Sequence, residues 1–169
     1  MTTISTPDLC DAYGDKVQVA DPVFRHFGGI ENFYGEIATV KCFEDNSKVG
    51  ESLRCNGNGK VLVVDGGGSQ RRSLLGDKLV RMALDNGWKG IIVYGYIRDL
   101  EDIAEMGIGV MAMGSIPRKT EKRGEGRTGV NLQFASLNCK PGNFIYADKT
   151  GIIVSTEALA LTDISETAA

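Results

Sequence analysis

Between Lys60 and Tyr96 the chain reads KVLVVDGGGSQRRSLLGDKLVRMALDNGWKGIIVYGY, and the pattern of this segment predicts a βαβ unit. Residues 60–65 form a mostly apolar run typical of a buried parallel strand. Over residues 77–86 the apolar side chains recur at helical spacing, and Gly87 stands where a helix C-cap glycine is expected. Residues 91–96 are rich in β-branched and aromatic side chains and are predicted as the second strand.

The topology of such a unit brings distant residues together. Parallel strands joined by a right-handed crossover place the segments that follow both strands at the same edge of the sheet. Twenty residues separate Asp77, at the start of the helix, from Arg98-Asp99, which follow the second strand. Open α/β sheets bind ligands at this carboxyl edge. The sequence therefore predicts a functional site that contains Asp77, Arg98 and Asp99.

Short strands and helices are predicted around this unit. Thr6-Pro7-Asp8 is typical of a helix N-terminus with Thr6 as the N-cap, and Gly14 is expected to end that helix. The other predicted elements are a strand over 36–43, short helices over 47–54 and, capped by Asp99, over 100–106, a strand over 108–113, a mobile charged loop over 117–129, and strands over 144–147 and 152–154. No linker or repeat divides the chain. We therefore expect a single α/β domain over residues 1–169, with a frayed tail at 163–169.

Composition excludes several classes of protein. A chain of 169 residues suits one domain with a substantial core, and a net charge of −3 gives no strong attraction to nucleic acid or to a membrane surface. No apolar run approaches the roughly 18 residues of a membrane span, and the first residues lack the pattern of a secretory signal. The four cysteines stand apart without a CxxC pair, so reduced and mostly buried thiols are expected. These features indicate a cytoplasmic protein.

The side chains expected at the carboxyl edge suit an acidic substrate. The first amides of a helix have no intrahelical partners, so those of Asp77, Lys78 and Leu79 can hold a substrate carboxylate. Gly76, just before them, allows a ligand to approach closely. The Arg98 guanidinium can bind the same carboxylate or a neighbouring keto oxygen.

Oxygen ligands at this edge indicate Mg²⁺ or Mn²⁺ as the cofactor. Asp99, with Asp77 or Asp102, can hold such a cation directly or through water. The single histidine, His26, cannot supply the clustered imidazoles of many zinc sites. A 2-oxo acid can chelate the cation, and cleavage beyond its C3 leaves a pyruvate enolate that the cation and Arg98 stabilise. Aldol cleavage and β-keto-acid decarboxylation share this enolate.

Each candidate also has a purely structural interpretation. Taken alone, an acid at the start of a helix is more often a cap or a partner of the helix dipole than a metal ligand. An isolated arginine most often forms a surface ion pair. The run Gly66–Gly68 lacks the ending of a phosphate-binding loop, and the basic stretch 118–123 contains no aromatic residue. A turn and a solvated loop are therefore favoured over nucleotide and nucleic-acid binding.

The sequence also resembles a known family over nearly its whole length. The regulator of ribonuclease activity A family and its relatives, the 4-hydroxy-4-methyl-2-oxoglutarate aldolases, have motifs similar to Asp8–Asp11, Lys41–Asn46, Val61–Ser69 and Tyr146–Asp148. Aldolase members are marked by an aspartate, twenty residues and then Arg-Asp, and Asp77 with Arg98-Asp99 matches that pattern. The resemblance implies a swivelling-type β/β/α sandwich with a central βαβ unit, assembled as a homotrimer or a dimer of trimers with sites near the subunit interfaces.

The same resemblance implies roles for individual residues and an activity. It implies that Asp99 is the direct metal ligand, that Asp77 acts through metal-bound water, and that Arg98 and the segment Gly76–Leu79 bind pyruvate. The implied enzyme is a metal-dependent class II aldolase that cleaves 4-hydroxy-4-methyl-2-oxoglutarate, or a similar 4-hydroxy-2-oxo acid, and decarboxylates oxaloacetate. Family members that inhibit an RNA-degrading endoribonuclease of the ribonuclease E type can lack the second acid of Arg-Asp. This chain keeps that acid, which favours the enzyme and leaves a nuclease-binding regulator as the alternative.

Overall fold

Helices and strands are defined over residues 2–161, the part of the chain that the computed structural model describes. The helices are α1 (Thr6–Tyr13), α2 (Ser47–Leu53), α3 (Asp77–Asp85) and α4 (Leu100–Ala104), and a 3-10 turn follows α1 at Gly14–Lys16. The strands are β1 (Val17–Val19), β2 (Arg25–His26), β3 (Phe33–Lys41), β4 (Val61–Asp65), β5 (Gly90–Ile97), β6 (Gly109–Ser115), β7 (Arg127–Thr128), β8 (Leu132–Phe134), β9 (Leu137–Cys139), β10 (Phe144–Ala147) and β11 (Ile152–Ser155). The tail predicted at 163–169 lies outside the described residues. None of the helices between residues 2 and 161 is long and apolar enough to cross a membrane.

One large sheet runs through the molecule. Its strand order is β1-β11-β10-β3-β4-β5-β6-β2, and the short β7 pairs with β3. The four strands β3, β4, β5 and β6 are parallel, whereas the strands on either side of them pair antiparallel. Every residue of β4 is buried, as its apolar run predicts. Together β4, α3 and β5 form the βαβ unit that the sequence predicts.

Apolar clusters cover both faces of the parallel strands. Strand β4 contributes to both, because Leu62 and Val64 belong to the cluster on the helical face, whereas Val61 and Val63 belong to the cluster on the opposite face. Helices α2, α3 and α4 pack on the first face, and the hairpin formed by β8 and β9 packs on the second. The protein is therefore the predicted α/β sandwich of helices, a central sheet and a small β layer.

The first helix begins one residue earlier than its sequence predicts. Ser5, not Thr6, is the N-cap, and its Oγ accepts a hydrogen bond from the Asp8 amide at 3.3 Å. The Thr6 hydroxyl instead donates to Asp148 Oδ1 at 2.8 Å, and the Thr6 amide donates to Oδ2 at 2.7 Å. Thr6 lies far from Asp148 in the sequence, so no local pattern reveals this pair. The helix ends at Gly14 as predicted.

Several predicted boundaries shift because of tertiary pairing. Strand β3 begins at Phe33 rather than at residue 36, since its first four residues pair with β10 before the strand joins β4. Helix α4 ends at Ala104 rather than at residue 106. The segment 117–129, predicted as a mobile loop, is tied to the body by the buried Thr120 and by β7.

The cysteines are free thiols in different environments, although most were expected to be buried. Cys42 and Cys139 are buried, Cys10 is half-buried and Cys55 is exposed. Burial, with smaller contributions from nearby aspartates, raises the pKa of Cys42 and of Cys139 to about 12. These two thiols are therefore protonated at neutral pH and are structural.

Candidate functional site at the carboxyl edge of the sheet

A cleft of about 600 Å³ opens at the edge of the sheet where the sequence predicts the functional site. The start of α3 and the two residues that follow β5 form one part of its lining. They bring together six of the predicted site residues: Gly76, Asp77, Lys78, Leu79, Arg98 and Asp99. The βαβ topology thus brings these residues together at one edge of the sheet, as expected.

Asp99 has an unusual backbone conformation and joins two elements. Its φ of +63° and ψ of +45° lie in the left-handed region, which residues other than glycine rarely adopt. It occupies the predicted N-cap position of α4, but its side chain makes no capping hydrogen bond to that helix. Asp99 Oδ2 instead accepts a hydrogen bond from the backbone amide of Asp77 at 3.1 Å. The carboxylate of Asp99 therefore lies at the positive N-terminus of α3.

Gly76 makes this contact possible. A Cβ atom at residue 76 would lie 2.7 Å from Asp99 Oδ2, closer than real Cβ contacts allow. The backbone of Gly76 is extended, so its conformation alone does not require glycine. The sequence predicts that this glycine admits a ligand, and the structure adds that it admits the carboxylate of Asp99.

Arg98 lies beside Asp99 with its guanidinium partly free. Its Nε is 4.0 Å from Asp99 Oδ2, and its Nη1 donates to the carbonyl of Pro117 at 3.3 Å. Its backbone amide donates to the carbonyl of Leu75 at 2.9 Å, which fixes the residue against the segment before α3. The side chain is 39% exposed, so it can still bind an anion in the cleft.

Two of the three helix amides predicted to bind substrate already have carboxylate partners. The Asp77 amide donates to Asp99, and the Lys78 amide donates to Oδ1 of Asp77 at 2.8 Å. An anion at this helix N-terminus is thus supplied partly by the protein itself. A substrate carboxylate can therefore bind to the Arg98 guanidinium or to the rest of the segment Gly76–Leu79. Alternatively, it can displace these aspartates from the two helix amides.

Asp102 lies outside the cleft. It is exposed and lines a neighbouring depression of about 490 Å³ together with Asp77, Arg81 and Glu105. Asp77 lines both depressions, whereas Asp99 lines only the first. Asp77 and Asp99 thus share a cleft that Asp102 does not line, and a part for Asp102 in the metal site stays a prediction.

The acids of the cleft fit a hydrated hard cation rather than a closed metal cage. Within residues 2–161, no three His, Cys, Asp or Glu side chains are grouped closely enough to hold a metal ion. Oδ2 of Asp99 is bound to the Asp77 amide, while its Oδ1 accepts no hydrogen bond from the described residues. One free carboxylate oxygen in an open cleft suits Mg²⁺ or Mn²⁺, which keeps several waters.

The cleft has a second wall that sequence reasoning did not associate with the site. Asn46, Ser73 and the loop residues 119–122 form it. Thr120 Oγ1 donates to Asn46 Oδ1 at 2.8 Å, and the Ser73 amide donates to the carbonyl of Arg118 at 2.7 Å. Asn46 belongs to one of the family-like motifs, which was the only available signal. The contact spans 74 residues, so local patterns could not reveal it.

Asp45 fastens the loop that carries this wall. It is 2% exposed and accepts hydrogen bonds from the Arg123 and Glu125 amides at 2.8 and 3.1 Å, and from the amide and hydroxyl of Ser47 at 2.9 and 2.6 Å. Burial alone would raise the pKa of Asp45. The hydrogen bonds outweigh burial and lower the pKa to about 2. The carboxylate is therefore ionised at neutral pH.

Comparison with known proteins identifies the family of this α/β sandwich. Residues 6–154 match the RraA-like family, described as Aldolase/RraA. A Pseudomonas aeruginosa protein, provisionally named a 4-hydroxy-4-methyl-2-oxoglutarate aldolase, is 57% identical over 156 residues, which cover 92% of this chain and 96% of that protein. The chain belongs to the RraA-like family.

Solved structures agree on the fold, although their names differ in activity. A Geobacillus kaustophilus protein described as an S-adenosylmethionine:2-dimethylmenaquinone methyltransferase has a TM-score of 0.91 and 46% identity, with 92% of this chain and 97% of that one covered. The RNA-processing inhibitor RraA from Thermus thermophilis has a TM-score of 0.90 and 39% identity, with 94% and 96% covered. The activity of this chain must therefore be argued from its own cleft.

Proposed function

We propose that this protein is a divalent-metal-dependent, class II aldolase of the cytoplasm that cleaves 4-hydroxy-4-methyl-2-oxoglutarate, or a related 4-hydroxy-2-oxo acid, to pyruvate. Decarboxylation of oxaloacetate is a second activity of the same site. The relatives named as aldolases support the class of reaction. The observation that carries the proposal is the Asp99 carboxylate, which is held between the Asp77 amide and Arg98 and keeps one oxygen free in the cleft.

Asp99 would hold the cation directly, and Asp77 would contact it through water. A cation bound there supplies Lewis-acid polarisation of the 2-oxo group. The Asp77 amide keeps Asp99 oriented, because it donates to the oxygen that is not needed for the metal. The left-handed backbone of Asp99 turns its carboxylate toward α3 instead of α4. A carboxylate held in place by the protein in this way is what electrostatic preorganisation requires.

Arg98 and the segment Gly76–Leu79 would bind the pyruvyl half of the substrate. The planar guanidinium presents several donors to a carboxylate and its neighbouring keto oxygen. Its contacts with Pro117 and Asp99 restrict its orientation, so less conformational freedom is lost when substrate binds. As negative charge develops on the 2-oxo oxygen, the fixed positive charge of Arg98 stabilises it.

Cleavage breaks the C3–C4 bond of the substrate. The C4 hydroxyl loses its proton, its oxygen becomes a carbonyl, and the electron pair of the broken bond enters the pyruvate enolate. Protonation at C3 completes one pyruvate, and the C4 fragment of 4-hydroxy-4-methyl-2-oxoglutarate leaves as a second pyruvate. With oxaloacetate the same bond breaks to release carbon dioxide. Asp77, acting through water, is the group that we propose accepts or returns the proton, although a water molecule or a carboxylate of a neighbouring subunit is an alternative base.

The test is pyruvate release from both substrates with Mg²⁺ and with excess chelator. Asp99→Asn keeps an oxygen that can accept the Asp77 amide but loses the charge, so we expect at least about a hundredfold loss of turnover with little change in stability. Asp99→Ala removes both functions. Asp102→Asn is the matched control, since Asp102 lies outside the cleft, and it should retain activity. Full turnover by Asp99→Asn would overturn the proposal.

A second candidate function is binding and inhibition of an endoribonuclease of the ribonuclease E type. The similarity to the Thermus RNA-processing inhibitor favours it. Binding by surface contact does not use the cleft, so association should survive both chelator and Asp99→Asn. Co-sedimentation of the two purified proteins checks this expectation, and a lack of association at micromolar concentration would exclude the function.

We also propose that the protein assembles as a homotrimer or as a dimer of trimers. Within the part of the chain that the structure describes, three large apolar side chains are notably exposed: Val19 at 56%, Val23 at 39% and Phe43 at 57%. Exposed apolar side chains of this size are often covered in an assembly. Light scattering should give a mass three or six times the 18.2 kDa of one chain. A monomeric mass would contradict the assembly but not the cleft chemistry.

A further inference from the structure

We propose that Lys119 and Lys122 bind the second carboxylate of the substrate, so that the cleft selects dicarboxylic 2-oxo acids. Both residues line the same cleft as Arg98 and Asp99. The inference deepens the proposed function, on which it rests for the placement of the first carboxylate at Arg98. It assigns the recognition of the far end of the substrate to a wall that is remote in sequence from the Asp77 and Arg98-Asp99 motif.

The backbone that carries the two lysines is fixed. Between them Thr120 is 5% exposed and bonded to Asn46. The carbonyl of Lys119 accepts a hydrogen bond from Arg72 Nη1 at 3.1 Å, and residue 119 also bridges to Ser73 in the manner of a parallel strand. On the far side of Lys122, the Arg123 amide is held by Asp45. The lysine side chains therefore extend from a segment with defined position, which a recognition site requires.

The charges of both lysines are available to a ligand. Neither forms an ion pair with any residue between 2 and 161, and both are exposed. Glu121 lies between them, but arginines engage it: Arg72 Nη2 is 3.6 Å and Arg123 Nη2 is 3.3 Å from its oxygens. The one acid of this wall is thus paired elsewhere and does not neutralise the lysines.

The charge of the whole cleft fits a dianion. Among residues 2–161, four cationic and three anionic residues line it: Lys78, Arg98, Lys119 and Lys122 against Asp77, Asp99 and Glu121. Arg98 can bind one substrate carboxylate, and the second needs another cation of the cleft. Lys119 and Lys122 are the cations of the opposing sequence segment. A volume of about 600 Å³ is ample for a six-carbon dicarboxylate between them.

This role predicts a specific kinetic signature. The C5 carboxylate of 4-hydroxy-4-methyl-2-oxoglutarate keeps its charge while the C3–C4 bond breaks. Its contacts are therefore equally strong in the ground state and in the transition state, so their loss raises KM and leaves kcat unchanged. A merely structural role for the loop would instead lower kcat with every substrate.

The experiment compares two substrates that differ only at the far end. One is 4-hydroxy-4-methyl-2-oxoglutarate, and the other is 4-hydroxy-4-methyl-2-oxopentanoate, in which a methyl group replaces the C5 carboxylate. In the double variant Lys119→Met/Lys122→Met, kcat/KM for the dicarboxylate should fall at least about tenfold through KM, while that for the monocarboxylate stays unchanged. Lys140→Met removes an exposed lysine outside the cleft and is the matched control. Equal losses for both substrates, or no loss, would overturn the proposal.

A binding measurement separates this inference from the proposed activity. Calorimetry with Mg²⁺ compares 2-oxoglutarate, a dicarboxylate without the C4 hydroxyl, with pyruvate. The double variant should lose affinity for 2-oxoglutarate and keep its affinity for pyruvate, and Lys119→Arg/Lys122→Arg should restore binding. If the wild type shows no turnover but this pattern holds, the aldolase proposal fails and the lysine subsite stands. If turnover occurs and the lysines affect neither ligand, only the subsite is wrong.

Discussion

Asp99 combines a strained backbone conformation with a carboxylate placed in the cleft. A left-handed conformation at a residue other than glycine costs about 1 kcal/mol or more, although aspartate tolerates it better than most. The surrounding contacts offset this cost, because the carboxylate accepts a hydrogen bond from the Asp77 amide and lies beside Arg98. An ordinary helix cap would need no such strain. The conformation is therefore understood as the means of directing the carboxylate into the cleft.

Gly76→Ala tests whether the position of the Asp99 carboxylate matters, because it adds a single carbon atom beside it. The added Cβ would stand 2.7 Å from Asp99 Oδ2, so the carboxylate must move and its bond to the Asp77 amide must lengthen. We expect kcat for pyruvate release to fall at least about tenfold, with a loss of about 1 kcal/mol in the free energy of unfolding. Steady-state kinetics and urea denaturation measure both.

Gly107→Ala is the control for that change. Apart from its chain neighbours, no atom of residues 2–161 lies within 4 Å of a Cβ built at residue 107, and its φ is not in the left-handed region. Activity should be retained there. If Gly76→Ala were as active as Gly107→Ala, the position of the Asp99 carboxylate would have no bearing on the chemistry.

At the scale of elements, the cleft depends on how a loop is attached to a helix start. Asp45 precedes α2. Its carboxylate accepts hydrogen bonds from the amide of Ser47, in that helix, and from the amides of Arg123 and Glu125 in the loop. One buried carboxylate thus joins α2 to the segment that carries the second wall. A neutral or protonated group at this place would weaken all of these charge-assisted hydrogen bonds at once.

This attachment should depend on pH in a defined direction. The pKa of Asp45 is lowered to about 2 from the ordinary value of about 3.9, so its carboxylate stabilises the fold above pH 4 and loses that contribution as the pH falls toward 2. Asp45→Asn should therefore be less stable than wild type by about 2 kcal/mol at pH 6, and the difference should vanish near pH 2.

Urea denaturation at a series of pH values measures that difference. Asp148, whose pKa is also lowered because hydrogen bonds from Thr6, Gly151 and Thr150 outweigh its burial, is present in both proteins and so cancels in the comparison. Faster hydrogen exchange at the Arg123 and Glu125 amides of the variant would locate the effect in the loop. A stability difference that is the same at every pH would show that Asp45 acts through shape and not through charge.

At the scale of the whole molecule, the sequence predicts the features that follow from hydrophobic periodicity. It does not predict the features that arise from contacts between distant parts of the chain. The βαβ unit and the approach of Asp77 to Arg98 follow from hydrophobic spacing and the handedness of crossovers, and the structure confirms them. The left-handed backbone of Asp99 has no local signature. Nor has the pairing of Asn46 with Thr120, which only the assembled fold brings together.

Two separate apolar clusters support different parts of the sheet. The cluster beneath α2, α3 and α4 contains Leu75, which is 1% exposed and immediately precedes the cleft residue Gly76. A smaller cluster contains Leu9 of α1, which is 0% exposed and packs with Tyr146 and Ile153 on the antiparallel part of the sheet. Both leucines are buried, but of the two only Leu75 adjoins the residues of the cleft.

Leu75→Ala and Leu9→Ala are therefore a matched pair. Each removes the same atoms from a buried position, so each should lower the free energy of unfolding by about 2–5 kcal/mol. The carbonyl of Leu75 accepts hydrogen bonds from the Arg98 amide and from the hydroxyl of Ser73. A shift of Leu75 therefore also moves Arg98 and the second wall. We expect Leu75→Ala to lower kcat/KM for pyruvate release at least about tenfold well below its melting temperature, and Leu9→Ala to leave it unchanged. If Leu9→Ala lowered kcat/KM as much as Leu75→Ala, the two clusters would respond as one, and the cleft would depend on the whole sheet rather than on the βαβ unit that carries it.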